Sequence, residues 1–268
     1  MTIKLLATDL DGTLLRSGKP VSAGNVAAAQ EAAKAGTIVT IATGRMYRAA
    51  MPVAEALGLD VPIITYNGAL IKSTSGKIYY EQYLDEDICR RVVDFAAARN
   101  WYLQTYSGDE LYYSACGEFS QRYEYSQKVK GKTLGYAGMR EQVSRMYKML
   151  VITDDPAVTQ DWMAELQVEF GDRITLTQSS KDFIEIISPG VSKAAALVRL
   201  ADMLHIDIRE TMAIGDASND LPMLEAAGFS VAMGNATAEV KAVTDAVTGH
   251  CDEDGWAQAV HKYILNRE

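Results

Sequence analysis

Aspartates and short hydroxyl side chains stand beside glycines at several places in this sequence, each directly after an apolar run. These places are Asp9-Leu10-Asp11-Gly12-Thr13, Thr43-Gly44-Arg45, Asn67-Gly68 and Gly215-Asp216-Ala217-Ser218-Asn219-Asp220. Taken alone, two aspartates separated by one residue fit a turn or a helix cap as well as a catalytic pair. Carboxylates at more than one of these places favour a shared site over unrelated turns.

Asp9 and Asp216 would lie close together if the strands that precede them are neighbours in one sheet. Ligand sites in open parallel sheets form beyond the carboxyl ends of the strands. Two like charges at that edge are unfavourable unless a cation lies between them. Mg²⁺ is held by one or two carboxylates plus waters and usually accompanies a phosphate. The pattern therefore predicts a Mg²⁺ site that acts on a phosphorylated ligand.

Three further residues are of the types that bind phosphate. Thr43 and the amides around Gly44 can donate hydrogen bonds to phosphate oxygens. Lys193, at the start of a helical pattern, can supply a positive point charge. A solvated side chain is the alternative for Lys193 from its position alone. The complete set of residues favours the phosphate-binding interpretation.

The elements that must position these residues alternate between strands and helices. We predict strands over residues 3–8, 37–43, 61–67 and 211–215, and helices over residues 22–35, 45–57 and 193–204. Such alternation is typical of a mostly parallel sheet covered by helices. We therefore predict an α/β fold with a Rossmann-like core that is built from both ends of the chain.

The middle of the chain has a different texture and predicts a separate unit. Ten of the 14 tyrosines lie between Tyr79 and Tyr136, among short apolar runs that resemble paired strands. Such a mixture indicates an α+β insert. The predicted boundaries are 1–83 and 188–268 for the core and 84–187 for an inserted cap that determines substrate specificity. The tyrosines could stack on a sugar or base, or belong to a partly buried sheet.

Composition narrows the class of partner. The 268 residues carry a formal charge of −9 and contain no Lys/Arg block, which disfavours nucleic acid as a partner. We find no apolar run long enough for a membrane helix and no targeting segment, so we expect no membrane partner. Three widely separated cysteines favour reduced thiols and a cytoplasmic location. The expected partner is a small molecule; the oligomeric state stays open.

The motifs together resemble those of haloacid dehalogenase superfamily phosphatases, in the Cof-like branch (type IIB) with a large α/β cap. The motif D-x-D-G-T-[LV] matches residues 9–14, a threonine after the second strand matches Thr43, a distant lysine matches Lys193, and G-D-x-x-N-D matches residues 215–220. The resemblance covers the whole chain. One departure is Ala194, where related sequences usually have glycine after the lysine.

The resemblance implies a role for each motif residue. Asp9 would be the nucleophile that forms an aspartyl-phosphate, and Asp11 would be the general acid and base. Mg²⁺ would be bound by the carboxylates of Asp9 and Asp216 and the backbone carbonyl of Asp11. Residues that would hold the phosphoryl group or support the site are Thr43, Gly44, Lys193, Asn219, Asp220, Asn67, Arg45 and Gly12. For Asn67 and Arg45, a turn asparagine and a surface arginine are equally good interpretations.

The leading hypothesis is a Mg²⁺-dependent phosphatase of small phosphorylated metabolites, such as sugar phosphates or similar phosphomonoesters. A phosphotransferase such as a phosphomutase is an enzymatic alternative, because it can use the same core and a similar cap. A sensor that binds a phosphorylated ligand without turnover is the non-enzymatic alternative. The presence of both Asp9 and Asp11 disfavours the sensor, which would need neither for catalysis.

Overall fold

The computed structural model describes residues 2–16, 18–58, 60 and 62–266. The strands are β1 Leu5–Thr8, β2 Ile38–Ala42, β3 Pro62–Thr65, β4 Leu70–Ser73, β5 Ile78–Glu81, β6 Leu103–Ser107, β7 Glu110–Tyr113, β8 Lys132–Thr133, β9 Met146–Ile152, β10 Thr175–Thr177, β11 Phe183–Ile187, β12 Thr211–Gly215, β13 Phe229–Ala232 and β14 Ala246–Val247. The α-helices are α1 Ala23–Lys34, α2 Tyr47–Ala56, α3 Glu86–Arg99, α4 Glu118–Gln127, α5 Gly135–Glu141, α6 Pro156–Phe170, α7 Lys193–Met203, α8 Leu221–Ala226, α9 Ala238–Val243 and α10 Gly255–Tyr263.

The chain divides into two compact units. The first is drawn from residues 1–44, 50–80 and 192–268, and the second from residues 45–49 and 81–191. The short segment Arg45–Ala49, which includes the start of α2, therefore groups with the second unit. Among the described residues, no helix is long and apolar enough to cross a membrane.

The first unit is built on an eight-stranded sheet in the order β14-β13-β12-β1-β2-β3-β4-β5. All neighbouring pairs from β14 to β3 are parallel, and β4 runs antiparallel to β3. The central strands β1 and β12 are buried along their whole length, as expected for strands covered on both faces. The mostly parallel α/β fold is confirmed.

The helix boundaries of this unit follow from local capping. Ser22 accepts a hydrogen bond from the Asn25 amide at the start of α1, and Ser192 accepts one from the Ala195 amide at the start of α7. Such side-chain caps satisfy backbone N–H groups that have no partner within the helix. Helix α7 therefore begins at Lys193, which places that side chain on its first turn.

The third strand is shorter than the sequence predicts. The prediction covered residues 61–67, but β3 ends at Thr65, and Tyr66, Asn67 and Gly68 form a 3-10 turn. Tyr66 and Asn67 have φ values of 52° and 57°, in the left-handed region, which ends the extended backbone. The first residue of the prediction, Val61, lies outside the described residues.

The second unit contains a six-stranded sheet in the order β10-β11-β9-β6-β7-β8. The neighbouring pairs are antiparallel apart from β7 and β8, which are parallel. One face of this sheet packs against α3, α5 and α6. The buried residues at this interface include Leu103, Met149, Val151, Ile184, Ile186, Ile88, Val92, Met139, Leu166 and Phe170.

The opposite face of this second sheet carries a buried polar cluster. It consists of Gln104, Tyr106, Lys148 and Glu185, each no more than 2% exposed. Lys148 Nζ lies 2.6 Å from Glu185 Oε1 and 4.9 Å from the centre of the Tyr106 ring. Tyr106 also donates a hydrogen bond of 3.0 Å to Gln104. We call these four residues the sheet-face cluster.

Candidate active site

The strand register places the sequence-predicted residues at one edge of the first sheet. Thr8 is paired with Ile214 on one side and with Ile41 on the other. The Asp9 amide donates to the Ile214 carbonyl at 3.0 Å, which extends the pairing one residue past β1. The chain segments that carry Asp9, Asp216 and Thr43 therefore leave adjacent parallel strands at the same edge.

Lys193 is buried between two carboxylates. Its Nζ lies 2.6 Å from Asp9 Oδ1 and 2.6 Å from Asp220 Oδ1. The lysine side chain is only 1% exposed. The alternative of a solvated lysine is therefore wrong, because an ammonium group this deeply buried needs such charge-assisted hydrogen bonds.

Asp220 is held on both of its carboxylate oxygens. Oδ1 accepts from Lys193, and Oδ2 accepts from the backbone amides of Asp216 and Ala217 at 3.0 and 3.1 Å. The side chain thus ties the lysine to the chain that follows β12. This arrangement fits a residue that orients Lys193.

Asp216 is fixed by Thr13, from the loop that follows β1. Thr13 Oγ1 donates a 2.6 Å hydrogen bond to Asp216 Oδ1. Gly12 has a φ of +81°, and a Cβ atom at this position would lie 2.5 Å from Asp216 Oδ2. The backbone of the first loop can therefore approach the carboxylate this closely only because residue 12 is glycine.

Burial and, to a smaller extent, neighbouring carboxylates raise the pKa values of Asp9 and Asp216. Burial raises the pKa of Asp9 well above its usual value; Lys193 opposes the shift, and the carboxylates of Asp220, Asp216 and Asp11 add to it. Burial also raises the pKa of Asp216, to about 6, against the hydrogen bond from Thr13.

Lys193 shifts in the direction that keeps its charge. Burial lowers the pKa of the ammonium group, but the carboxylates of Asp220 and Asp9 raise it by more, so the net shift is upward. The lysine is therefore cationic at neutral pH. It faces several carboxylates, so the site as a whole favours further positive charge.

The oxygen-rich edge fits a divalent cation such as Mg²⁺. Oxygens of Asp9, Asp216 and Asp220 lie within 4.8 Å of one another. Because both Asp220 oxygens already accept hydrogen bonds, Asp9 and Asp216 are the better candidates for ligands. Gly12 allows the loop after β1 to pack against the Asp216 carboxylate. Carboxylate oxygens of this kind are the ligands that a hard cation such as Mg²⁺ prefers.

The phosphate-binding candidates are connected to the lysine by the turn after β3. Thr43 is buried and donates its amide to the Ile64 carbonyl at 2.9 Å, while its own carbonyl accepts from the Asn67 amide at 3.0 Å. A Cβ atom on Gly68 would lie 2.3 Å from the Ser192 carbonyl oxygen. The turn thus packs against the start of α7, immediately before Lys193.

Three other predicted residues are placed less centrally. Asp11 is exposed, and Asn219 is half-buried in the 3-10 turn Ser218–Asp220. Arg45 is half-buried and groups with the second unit. Burial raises the pKa of Tyr123 in that unit, and the positive charge of Arg45 partly opposes this shift. The structure thus brings Asp9, Asp216, Asp220 and Lys193 into direct contact or close proximity, whereas Arg45 lies with a different set of side chains.

One residue of this edge is missing from the sequence-based set. Asn235 follows β13 and donates a 2.7 Å hydrogen bond from Nδ2 to the Gly12 carbonyl. A signal for it was present, because Gly234-Asn235 also stands directly after an apolar strand. The same strand-end rule that singled out Asp9 and Asp216 applies to it.

A second group of potential metal ligands consists of His250, Cys251 and Asp252. The three are consecutive, and His250 Nδ1 already accepts the Asp252 amide at 3.1 Å as a cap of the following turn. That hydrogen bond occupies one of the two imidazole nitrogens. Local capping therefore accounts for this group.

Comparison with known proteins agrees with this fold. The sequence profile of the haloacid dehalogenase-like hydrolases matches residues 6–260. Phosphatase YwpJ of Bacillus subtilis (strain 168) is 31% identical, covering 98% of this chain and 100% of the relative. The 5-amino-6-(5-phospho-D-ribitylamino)uracil phosphatase YwtE of the same strain is also 31% identical, covering 98% of each.

A solved structure gives the same result. The crystal structure of a haloacid dehalogenase-like hydrolase from Bacteroides thetaiotaomicron superposes with a TM-score of 0.87 at 28% identity, covering 97% of this chain and 99% of that one. The chain belongs to the haloacid dehalogenase-like hydrolase family. Within that family it is a phosphatase, as the resemblance in the motifs implies.

Proposed function

We propose that this protein is a Mg²⁺-dependent phosphatase of small phosphorylated metabolites, sugar phosphates or similar phosphomonoesters. The observation that carries the proposal is the buried Lys193 ammonium group, hydrogen-bonded to Asp9 beside Asp216. A carboxylate next to a fixed cation and a candidate metal ligand is arranged for attack on an anionic phosphorus centre.

In the first step, a carboxylate oxygen of Asp9 forms a bond to phosphorus as the bond between phosphorus and the leaving oxygen breaks. Asp11 donates a proton to that leaving oxygen, which departs as an alcohol. In the second step, Asp11 takes a proton from water, and the water oxygen attacks phosphorus. The bond to Asp9 breaks, which regenerates its carboxylate and releases inorganic phosphate.

The phosphoryl oxygens need donors and positive charge during both steps. Thr43, the amide of Gly44 and the ammonium group of Lys193 are proposed to supply them. The Asp9 and Asp216 carboxylates with the Asp11 carbonyl are proposed to hold Mg²⁺, which when bound neutralises negative charge at the reacting centre. Asp220 keeps Lys193 in place, and Asn219, which immediately precedes it, is proposed to support the same loop.

The leaving group is proposed to be selected by the insert at residues 84–187. Support comes from the sheet-face cluster, where Lys148 and Glu185 form a buried ion pair instead of apolar packing. A buried ion pair seldom adds stability over an apolar pair of similar volume, so we propose that it fixes the shape of the sheet face that selects the leaving group.

The name of one relative is consistent with this class of substrate. YwtE is described as a phosphatase of a phosphoribitylamino-uracil, which is a phosphomonoester of a sugar alcohol. We extend only the class, a phosphorylated polyol or sugar, to the present chain. We also propose a cytoplasmic location, on the basis of three cysteines that are all free thiols.

The test is phosphate release from a panel of phosphorylated metabolites, with Mg²⁺ or EDTA, for the wild type and Asp9→Asn. We expect release that requires Mg²⁺ and is lost by at least about 1,000-fold in the variant. The matched control is Asp60→Asn, which makes the same replacement at an exposed carboxylate and should behave as the wild type. Release that persists in Asp9→Asn would overturn the proposal.

A further inference from the structure

Asn235 uses both ends of its carboxamide to join two separate loops. Its Nδ2 donates to the Gly12 carbonyl at 2.7 Å, and its Oδ1 accepts from the Cys251 amide at 3.0 Å. Gly12 is next to Asp11 and packs against the Asp216 carboxylate. Asn235, an uncharged residue, therefore contacts the loop that carries Asp9 and Asp11.

The segment that carries Asn235 also holds the second acidic loop. The Thr237 amide donates to the Asp216 carbonyl at 3.1 Å, and the Met233 amide donates to the Gly215 carbonyl at 3.1 Å. Residues 233–237 thus bind the loop of Asp216 through the backbone and the loop of residues 9–13 through the Asn235 side chain. We call residues 233–237 the clamp segment.

Such a clamp is needed because the two loops repel one another. Carboxylate oxygens of Asp9, on the first loop, and Asp216, on the second, lie within 4.8 Å of one another. Like charges at this distance would move apart in a flexible loop. The hydrogen bond from Asn235 opposes this movement at the carbonyl of Gly12, the residue that packs against the Asp216 carboxylate.

We propose that Asn235 is a positioning residue for the divalent-cation site, which it serves by holding the loop of residues 9–13 against Asp216. The proposal rests on the proposed function only in that the cation is bound by these two loops. The Asn235 side chain hydrogen-bonds to backbone groups, whereas the carboxylates would bind the cation. Residues of this kind, behind metal ligands, typically change metal affinity by about 10- to 100-fold when replaced.

The substitution Asn235→Asp separates the effect of the Asn235 hydrogen bond on Mg²⁺ binding from the effect of local charge. A carboxylate keeps an acceptor for the Cys251 amide but loses the donor to Gly12, and it adds a negative charge near the acidic edge. On charge alone, the variant would bind Mg²⁺ as well as or better than the wild type. A positioning role predicts the opposite sign, so the direction of the change discriminates between the two.

The experiment is a titration with Mg²⁺ alone, following the rise in melting temperature that ligand binding to the folded state produces. Wild type, Asn235→Asp and Asn235→Ser are compared with Thr248→Val. The control removes another side-chain hydrogen bond to backbone in the same region, from Thr248 Oγ1 to the Gly255 carbonyl. Phosphate release as a function of Mg²⁺ concentration is measured in parallel.

We expect both Asn235 variants to need about 10-fold or more Mg²⁺ for the same rise in melting temperature. The Mg²⁺ concentration for half-maximal phosphate release should increase by the same factor, and the control should match the wild type in both measurements. Unchanged or tighter Mg²⁺ binding in both variants would overturn the inference, as would an equal loss in Thr248→Val. If the wild type itself showed no response to Mg²⁺, the proposed metal site would fail instead.

Discussion

Lys193 places one ammonium group between the carboxylates of Asp9 and Asp220, in a position with almost no access to solvent. Removing water from three charges is costly, and the two short hydrogen bonds offset that cost. The same geometry that satisfies the lysine also places positive charge beside the proposed nucleophile. Stability and chemistry therefore depend on the same contacts at this residue.

Replacement of Lys193 by Met should impair both properties. Loss of the charge that faces the phosphoryl oxygens should lower kcat/KM by about 100- to 1,000-fold. The uncompensated carboxylates should reduce the free energy of unfolding by about 3 kcal/mol in the absence of Mg²⁺. Steady-state kinetics and urea denaturation measure the two effects.

The control for this variant is Lys4→Met. Lys4 pairs with Glu210 on the surface, and its side chain is 49% exposed. Exposed ion pairs contribute little, so both kinetics and stability should stay near the wild-type values. A Lys193→Met protein with undiminished kcat/KM would contradict the role given to the lysine.

Asp11 is expected to act differently on the two halves of the reaction. With p-nitrophenyl phosphate, the phenolate leaves without a proton, so Asp11→Asn should retain a rapid first turnover. The water attack that follows still needs a base, and should slow by about 100- to 10,000-fold. Rapid mixing should therefore record a burst of nitrophenolate close to one per active site.

An alkyl phosphate provides the comparison for Asp11→Asn. Its leaving alkoxide needs a proton, so the first turnover itself should be slow and no burst should occur. Equal loss of the first turnover with both substrates would show that Asp11 is not the proton donor.

Strand-end reasoning identified Asp9, Asp216 and Thr43 as neighbours, because parallel strands end at a common edge. It could not identify the approach of Gly12 to Asp216, which depends on the path of the loop after β1. Nor could it pair Asn235 with Gly12, since the two are far apart in sequence and meet through a side chain. Contacts of this kind depend on tertiary geometry more than on local pattern.

At the scale of elements, the turn after β3 is a tightly constrained connection of the site. Tyr66, Asn67 and Gly68 all have positive φ, and the first two are non-glycine residues that pay a steric cost in this region. The turn holds Thr43 on one side and the start of α7 on the other. It thereby links the proposed phosphate loop to Lys193.

Gly68→Ala should disturb that link. The new methyl group would lie 2.3 Å from the Ser192 carbonyl oxygen, so the turn or α7 must shift. We expect a loss of at least about 2 kcal/mol in the free energy of unfolding and a fall in kcat/KM. Thermal or urea denaturation and steady-state kinetics provide the measurements.

Gly76→Ala is the matched control for this substitution. Gly76 also has a positive φ, of +93°, but nothing lies within 4 Å of the position of its added Cβ atom. It should show only the backbone cost of about 1 kcal/mol and no change in kcat/KM. If the two variants behaved alike, the packing of Gly68 on α7 would have no functional consequence.

The elements of the first unit were more predictable than those of the second. Strand β12 was predicted with its observed bounds, because its apolar run is bordered by polar residues. No helix was predicted over α3, although Asp85 caps it and Ile88, Val92 and Ala96 have helical spacing. The capping residue and this spacing are the sequence signals that predict such a helix.

At the scale of the whole molecule, the two units carry different kinds of polar side chains. The first has carboxylates and a lysine at a strand edge, and the second has an ion pair on a sheet face. The segment Arg45–Ala49 groups with the second unit, although it follows β2 of the first. Sequence order does not reveal this grouping, because it depends on which side chains meet in three dimensions.

The sheet-face cluster should therefore affect substrate choice more than chemistry. The double variant Lys148→Met/Glu185→Leu removes both charges at once and avoids leaving one buried and unpaired. We expect kcat/KM to fall by about 10-fold or more for the preferred sugar or polyol phosphate. Activity with p-nitrophenyl phosphate should stay within about twofold of the wild type.

A second double variant, Arg99→Met/Glu165→Leu, controls for removal of an ion pair from the same unit. That pair is exposed, with a distance of 2.8 Å between Nε and Oε2. It should leave all substrates unaffected. A uniform loss across substrates in the sheet-face variant would indicate a structural role for the cluster instead of selection of the leaving group.

The most direct test of the central claim is to locate the phosphoryl group during turnover. Asp11→Asn is mixed with p-nitrophenyl phosphate and Mg²⁺, quenched in acid and digested, and the peptides are identified by mass spectrometry. We predict a phosphoryl group on Asp9, absent from the same experiment with the Asp9→Asn/Asp11→Asn double variant. A phosphoryl group on another residue, or turnover by the enzyme with no phosphorylated peptide, would contradict the proposed mechanism.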